Sequence, residues 1–282
     1  MIRVCFLGLA LCLMSMPVSS LTVEKDEHLE RMKQEHATDS PVASPAADTE
    51  PVSAVDSKDV VYADIDGTEI TGYLATPADG ATAAAVIVIH EWWGLNDNIR
   101  AMTRRLAGEG YTALAVDLYA GEVAETREEA LRLATASRER TAEIEQSLRS
   151  AWNYLEQEQN AAKVGVIGWC FGGGWSLRTA LLLGSDIDAA VIYYGRLVTD
   201  RSTLEELKSP VLGIFGALDE GIPVVSVREF QSVLDRLGKP ATVHIYEGAD
   251  HAFANPSGTR YNEGAARDAW GKTLIFFARY LR

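Results

Sequence analysis

The sequence predicts an α/β fold: a mostly parallel central sheet of about eight strands with helices on both faces, opened by an N-terminal hairpin. Three observations predict it. Short β-branched runs alternate with longer stretches of helical period, the pattern of strand–helix–strand units. The run Ala84-Ala-Val-Ile-Val-Ile89 is continuously apolar, as in a strand covered on both faces. Lys163-Val-Gly-Val-Ile167 runs directly into Gly168-Trp-Cys170-Phe-Gly172, a glycine-flanked turn suited to joining a strand to a helix.

The domain is expected over residues 59–282, long enough for one large core. Ahead of it, the apolar run Val4–Met16 follows Arg3 and ends in Met16-Pro-Val-Ser-Ser20. That is short for a membrane span and suits a secretory signal peptide over residues 1–20, cut after Ser20. An exported, periplasmic or extracellular protein is therefore expected, with no membrane contact in its mature form. Cleavage would remove Cys5 and Cys12 and leave Cys170 as the one cysteine, so no internal disulfide is expected. Residues 21–58 read as a linker, charged at first and then rich in Pro, Ala and Ser. They offer too little apolar surface to offset the entropy of ordering.

Within the domain, Val60–Ile65 and Glu69–Ala75 flank Asp66-Gly67, a hairpin with preferred turn residues. After Ala84–Ile89 and its loop, Ile99, Met102, Leu106 and Ala107 fall on one helical face, ended by Gly108 to Gly110. Tyr111–Val116 is the next strand. Thr126–Asn160 is helical in pattern, with Ile144, Leu148, Trp152 and Leu155 as its apolar stripe; whether residues 120–140 form a lid is left open. The helix after Cys170 runs through Leu183. Strands follow at Ile187–Tyr194, Val211–Phe215 and Ala241–Tyr246, with a helix over Val225–Leu237 and a last one carrying Trp270, Leu274, Phe277 and Leu281.

Ligands of such sheets bind beyond the carboxyl ends of the strands. Those ends hold His90-Glu91-Trp92, Asp117, Cys170, Tyr194-Gly195-Arg196, Asp219 and Asp250-His251. A thiol nucleophile needs a base, and the base needs a partner that fixes its tautomer. Cys170 at the amino end of a helix, with Asp219 and then His251 downstream, supplies all three in the order acid, then histidine. Glu220 and Asp250 are alternatives to Asp219. His28 and His36 lie in the linker, His244 lies within a strand, and His90 and Asp117 read as structural.

From Val60 to Arg282 the chain resembles the dienelactone hydrolase family of α/β-hydrolases. The resemblance is carried by His90-Glu-Trp-Trp-Gly-Leu-Asn96, Asp117-Leu-Tyr119, Gly168-Trp-Cys-Phe-Gly-Gly173, Tyr193-Tyr-Gly195, Asp219 and His251-Ala-Phe253. It implies a Cys170–His251–Asp219 triad, a Glu91 carboxylate that contacts the resting thiol, and an oxyanion hole from the N–H groups of Phe171 and Trp92. It also implies two arginines that hold a substrate carboxylate. One would follow the Tyr119-Ala pair, where Gly121 stands; the other would lie four residues past the histidine, where Asn255 stands. Without them a dienelactone carboxylate is not the expected substrate. Arg196 is a candidate replacement charge, with a surface or structural arginine as the favoured reading, and Trp93, Tyr119, Tyr194, Phe253 and Asn255 are the other candidate pocket residues.

The expected activity is hydrolysis of small esters or lactones through a thioester. The alternative is a non-hydrolytic ligand-binding or redox-responsive thiol protein on the same fold. The net charge of −14 without a basic cluster argues against nucleic acid. With no metal-ligand cluster or dinucleotide motif, no cofactor and no metal are expected. The linker's partner is open, and the oligomeric state is a monomer or a small homo-oligomer.

Overall fold

The structure, a computed structural model, describes residues 34, 36, 37, 39, 50–80 and 82–282. The expected signal peptide and most of the linker lie outside the described residues. The chain divides into two units, Met1–Ala37 and Thr38–Arg282. In the first, the Ala37 N–H donates to the Gln34 carbonyl at 3.1 Å. Everything below concerns the second.

Its eight strands are β1 (Val55–Ile65), β2 (Thr68–Pro77), β3 (Ala84–Ile89), β4 (Thr112–Val116), β5 (Lys163–Trp169), β6 (Ala189–Tyr193), β7 (Val211–Gly216) and β8 (Ala241–Tyr246). They form one sheet in the order β1-β2-β4-β3-β5-β6-β7-β8. The β1–β2 and β2–β4 pairs are antiparallel and all others parallel. The helices are α1 (Asp97–Gly108), α2 (Arg127–Ala136), α3 (Thr141–Gln157), α4 (Phe171–Leu183), α5 (Arg201–Glu205), α6 (Val224–Arg236) and α7 (Glu263–Leu281).

Strands β3, β4, β6 and β7 are buried throughout, as continuous apolar runs require in a sheet with two covered faces. On one face Ile99, Met102 and Leu106 of α1 and Trp270, Phe277 and Leu281 of α7 join a single cluster with Val86, Ile167, Val191 and Ile214. Helices α3 and α4 pack on the sheet as well and against each other. No described helix is long and apolar enough to cross a membrane.

Two sequence expectations are corrected. The helical stretch from Thr126 to Asn160 is two helices. Thr126 and Glu129 form a reciprocal capping box that starts α2, and the Ser137 hydroxyl bonds back to the Ala134 carbonyl where the chain turns. The second correction concerns the end of the linker. β1 starts at Val55, and residues 55–58 pair with residues 74–77 of β2. Tyr73 donates to the Ser57 hydroxyl at 2.7 Å. The hydrogen-bonding edge of β2 offers these polar residues backbone partners, which composition alone does not register. The short helix α5 carries no apolar period and was not foreseen; Asp200 caps it by accepting from the Thr203 N–H at 2.8 Å.

Candidate active site

Cys170 sits between β5 and α4 with φ 53° and ψ −114°, a strained conformation for a residue with a side chain. Its N–H donates to the Tyr193 carbonyl at 3.0 Å, which ties the turn to β6. The flanking glycines are required by close approach. A Cβ on Gly168 would lie 2.0 Å from the Gly172 carbonyl oxygen; one on Gly172 would lie 2.3 Å from the Ile89 oxygen. The amino end of α4 is thus wedged against the end of β3, and the Phe171 N–H is the first helical N–H, beyond reach of any intrahelical carbonyl.

The loop after β8 brings His251 to this turn. The His251 Nδ1 is 2.8 Å from Asp219 Oδ2, and both side chains are almost fully buried. The Cys170 Sγ and a ring nitrogen of His251 lie within 4.8 Å of each other, and with Nδ1 held by Asp219 it is Nε2 that is left for the thiol. Asp219 also accepts from the Ile222 N–H at 2.7 Å, which fixes the carboxylate. Of the alternatives to Asp219, Asp250 accepts from the N–H of His251 and Glu220 is exposed.

Burial is the strongest influence on His251 and opposes its protonation. The Cys170 and Asp219 charges outweigh it and raise the imidazole well above its ordinary range. Burial likewise acts to raise Asp219, and the His251 charge, its hydrogen bond and Arg260 reverse this and hold the carboxyl low. The arrangement can therefore store one proton on His251 beside a thiolate and deliver it to a leaving group.

Glu91 is buried, and its Oε2 accepts from Asn255 Nδ2 at 2.5 Å. The Asn255 Oδ1 accepts from the Ser257 N–H at 2.8 Å, so both ends of that amide are engaged by protein. Asn255 therefore backs Glu91 as well as standing near the expected pocket. His90 and Asp117 are structural, as expected. His90 donates from Nδ1 to the Glu91 carbonyl at 2.6 Å and accepts the Leu118 N–H at Nε2. Asp117 accepts from the N–H groups of Tyr119 and Gly121.

The aromatic candidates are buried except Phe171, which is half-buried. Trp92 and Trp93 pack on each other, their ring centroids 4.9 Å apart. Phe253 is fully enclosed between Tyr194 and Tyr246. Tyr119 packs on Phe171, and Tyr194 on His251. Arg196 differs: it is exposed, beside Gly174, and its charge opposes that of Arg138. Segment 120–140 is fastened to the Trp93 loop by Ala124 N–H donating to the Trp93 carbonyl at 2.9 Å.

Residues 70–281 match the dienelactone hydrolase family. The chain belongs to that family. This hydrolase is 31% identical over 264 residues to a "Putative carboxymethylenebutenolidase" of Saccharolobus solfataricus, across 79% of this chain and 98% of that one. It is 34% identical over 222 residues to "Protein usf" of Aquifex pyrophilus, across 76% and 95%. Among solved structures it is similar to a "Putative Dienelactone Hydrolase" from Klebsiella pneumoniae, with a TM-score of 0.72, 29% identity, and coverage of 80% of this chain and all of that one (100%).

One feature of the hydrolase had no sequence signal. Arg260 forms a two-pronged ion pair with Asp39, at 3.0 and 2.9 Å, with both side chains largely buried. Asp39 lies in the stretch expected to be a free linker, and Arg260 also lowers the carboxyl of Asp219. Asp39→Ala leaves the guanidinium without this partner and is expected to cost about 1–3 kcal/mol in urea unfolding. An unchanged midpoint would reduce the pair to a surface contact.

Proposed function

We propose that this hydrolase cleaves small, neutral esters or lactones through a thioester on Cys170. The observation that carries the reading is the buried His251–Asp219 bond of 2.8 Å, its imidazole turned to a thiol on a strained turn at a helix amino end. The Cys170 thiolate attacks the carbonyl carbon. The N–H groups of Phe171 and Trp92 receive the oxyanion, worth about 3 kcal/mol per donor in the barrier. Collapse passes the His251 proton to the departing oxygen and leaves a thioester. Neutral His251 then takes a proton from water as it adds to the thioester, and the thiolate departs to restore the ion pair. Asp219 holds the imidazole tautomer throughout. Glu91 contacts the resting thiol, the role the family resemblance gives it.

Charge supports a neutral substrate. The carboxylates of Asp219 and Glu91 are both buried, Asp219 is paired with His251, and Arg260 is engaged with Asp39. A substrate carboxylate would enter a field of its own sign. Export by a signal peptide is part of the same reading, supported by the Val4–Met16 run.

The test is covalent capture. Wild type quenched during turnover of phenyl acetate should carry an acetyl group on the peptide containing Cys170, and Cys170→Ala should neither label nor turn over. Equal turnover by the alanine variant would place the chemistry elsewhere.

A further inference from the structure

The proposed mechanism leaves two buried hydroxyls beside the nucleophile unused. Tyr119 and Tyr194 are 2% and 0% exposed, and among the described residues neither phenolic oxygen has a hydrogen-bond partner of ordinary geometry. The backbone N–H of Ala254 points toward the Tyr194 oxygen, but it can only donate, so the phenolic proton is unspent. Both rings are fixed against the reacting groups. Tyr119 packs on Phe171, the residue after the nucleophile, at 5.4 Å, and edge-on to His90 at 4.7 Å. Tyr194 packs on the His251 ring at 5.2 Å.

Resting on the ester-hydrolase reading above, we propose that Tyr119 and Tyr194 form a neutral donor subsite that selects substrates carrying an uncharged acceptor oxygen in addition to the two ester oxygens. Buried hydroxyls without partners are costly unless something completes them. The two ester oxygens already have their donors, in the backbone N–H groups and in His251. A substrate oxygen that completes the tyrosines must therefore be a further one: a hydroxyl, ether or keto oxygen, as in an alkoxyacyl ester or an oxygenated lactone. It must also be uncharged. Burial, and then the neighbouring Cys170, Asp117 and Glu91, keep both phenols protonated far above neutral pH. They are donors without charge, in a site already rich in carboxylates, and so cannot neutralise a substrate anion. Tyr194 has φ 34°, so its ring is presented from a left-handed backbone position that few residues with side chains adopt.

The test compares phenyl methoxyacetate with phenyl butanoate, esters that differ by one oxygen in place of a methylene. Each kcat/KM is divided by the hydroxide-catalysed rate of the same ester, which removes intrinsic activation. Wild type is expected to favour the methoxyacetate by about tenfold or more. Tyr119→Phe and Tyr194→Phe should each reduce that ratio, and the double variant should bring it near one. The Tyr119 hydroxyl has no partner among the described residues, so Tyr119→Phe should not melt below wild type, while Tyr194→Phe gives up only the approach of the Ala254 N–H. A wild-type ratio of one with both esters hydrolysed would overturn the subsite and leave the hydrolase reading standing. A variant that melts well below wild type and keeps the ratio would show the hydroxyls to be structural, and also overturns it. Hydrolysis of neither ester, nor of phenyl acetate, would remove the proposed function and this subsite with it.

Discussion

Replacing His251 by alanine is expected to lower kcat/KM for phenyl acetate by about 10³–10⁴-fold. The side chain is asked to do two things: hold the proton that the thiol gives up, and place it on the leaving oxygen. The pH profile gives the sharper reading. The imidazolium is the form that protonates the leaving group, and it is present below the folded pKa of His251 and lost above it. Burial works against that proton, and the Cys170 and Asp219 charges overcome it, so the pKa is raised. Activity should therefore fall on the alkaline side at a pH well above about 6.5, the ordinary histidine value. Asp219→Asn removes one of the two raising charges and should move this limb to lower pH. A limb that stays in place in the asparagine variant would exclude Asp219 as the partner.

Gly168→Ala is expected to destabilise the domain by about 3–5 kcal/mol, measured by chemical denaturation, or to prevent folding. The added methyl would sit 2.0 Å from the Gly172 oxygen, 2.3 Å from its carbonyl carbon and 2.9 Å from the Gly173 nitrogen. All three are backbone atoms in the first turn of α4, so no side chain can swing away. Relief requires lifting the helix from β5, but Gly172 is already pressed on the Ile89 and His90 carbonyls and Gly173 on that of Tyr193. A soluble fraction of this variant should also lose activity, since the same movement displaces the Phe171 N–H. Wild-type stability and turnover would mean that the turn is looser than its geometry states.

The strands and the turn at Cys170 were legible because each follows from a local rule. Apolar runs such as Ala84–Ile89 have one solution in a covered sheet, and Gly168 and Gly172 record backbone approaches that no side chain permits. The placement of Asp219 and His251 was legible because both follow strands whose carboxyl ends meet at one edge. What could not be read is what depends on partners distant in sequence. Arg260 and Asp39 are separated by 221 positions, and neither lies in a periodic or motif-like context. The Glu91–Asn255 bond spans 164 positions, and an asparagine there reads equally as a pocket residue or as a support. Arg196 follows β6 and is exposed, in keeping with the favoured reading of a surface arginine rather than a replacement charge in the pocket. The break between α2 and α3 escaped because Ser137-Arg-Glu-Arg140 contains neither glycine nor proline.

The first residues of β1 bear on how this protein behaves when shortened. A chain begun at residue 59, where composition places the domain, would lack Val55–Lys58 and uncover the backbone of β2 from Leu74 to Pro77. Those carbonyl and N–H groups would then form an open template of four residues at the margin of the sheet, and an extended segment from another molecule could occupy it. With residues 55–58 in place the margin is β1 instead, where Asp56, Lys58 and Asp59 set charge along the edge and oppose such pairing. The loss of residues 55–58 would be seen in what shortened chains do to one another at high concentration, while the catalytic turn, which lies elsewhere in the sheet between β5 and α4, stays intact.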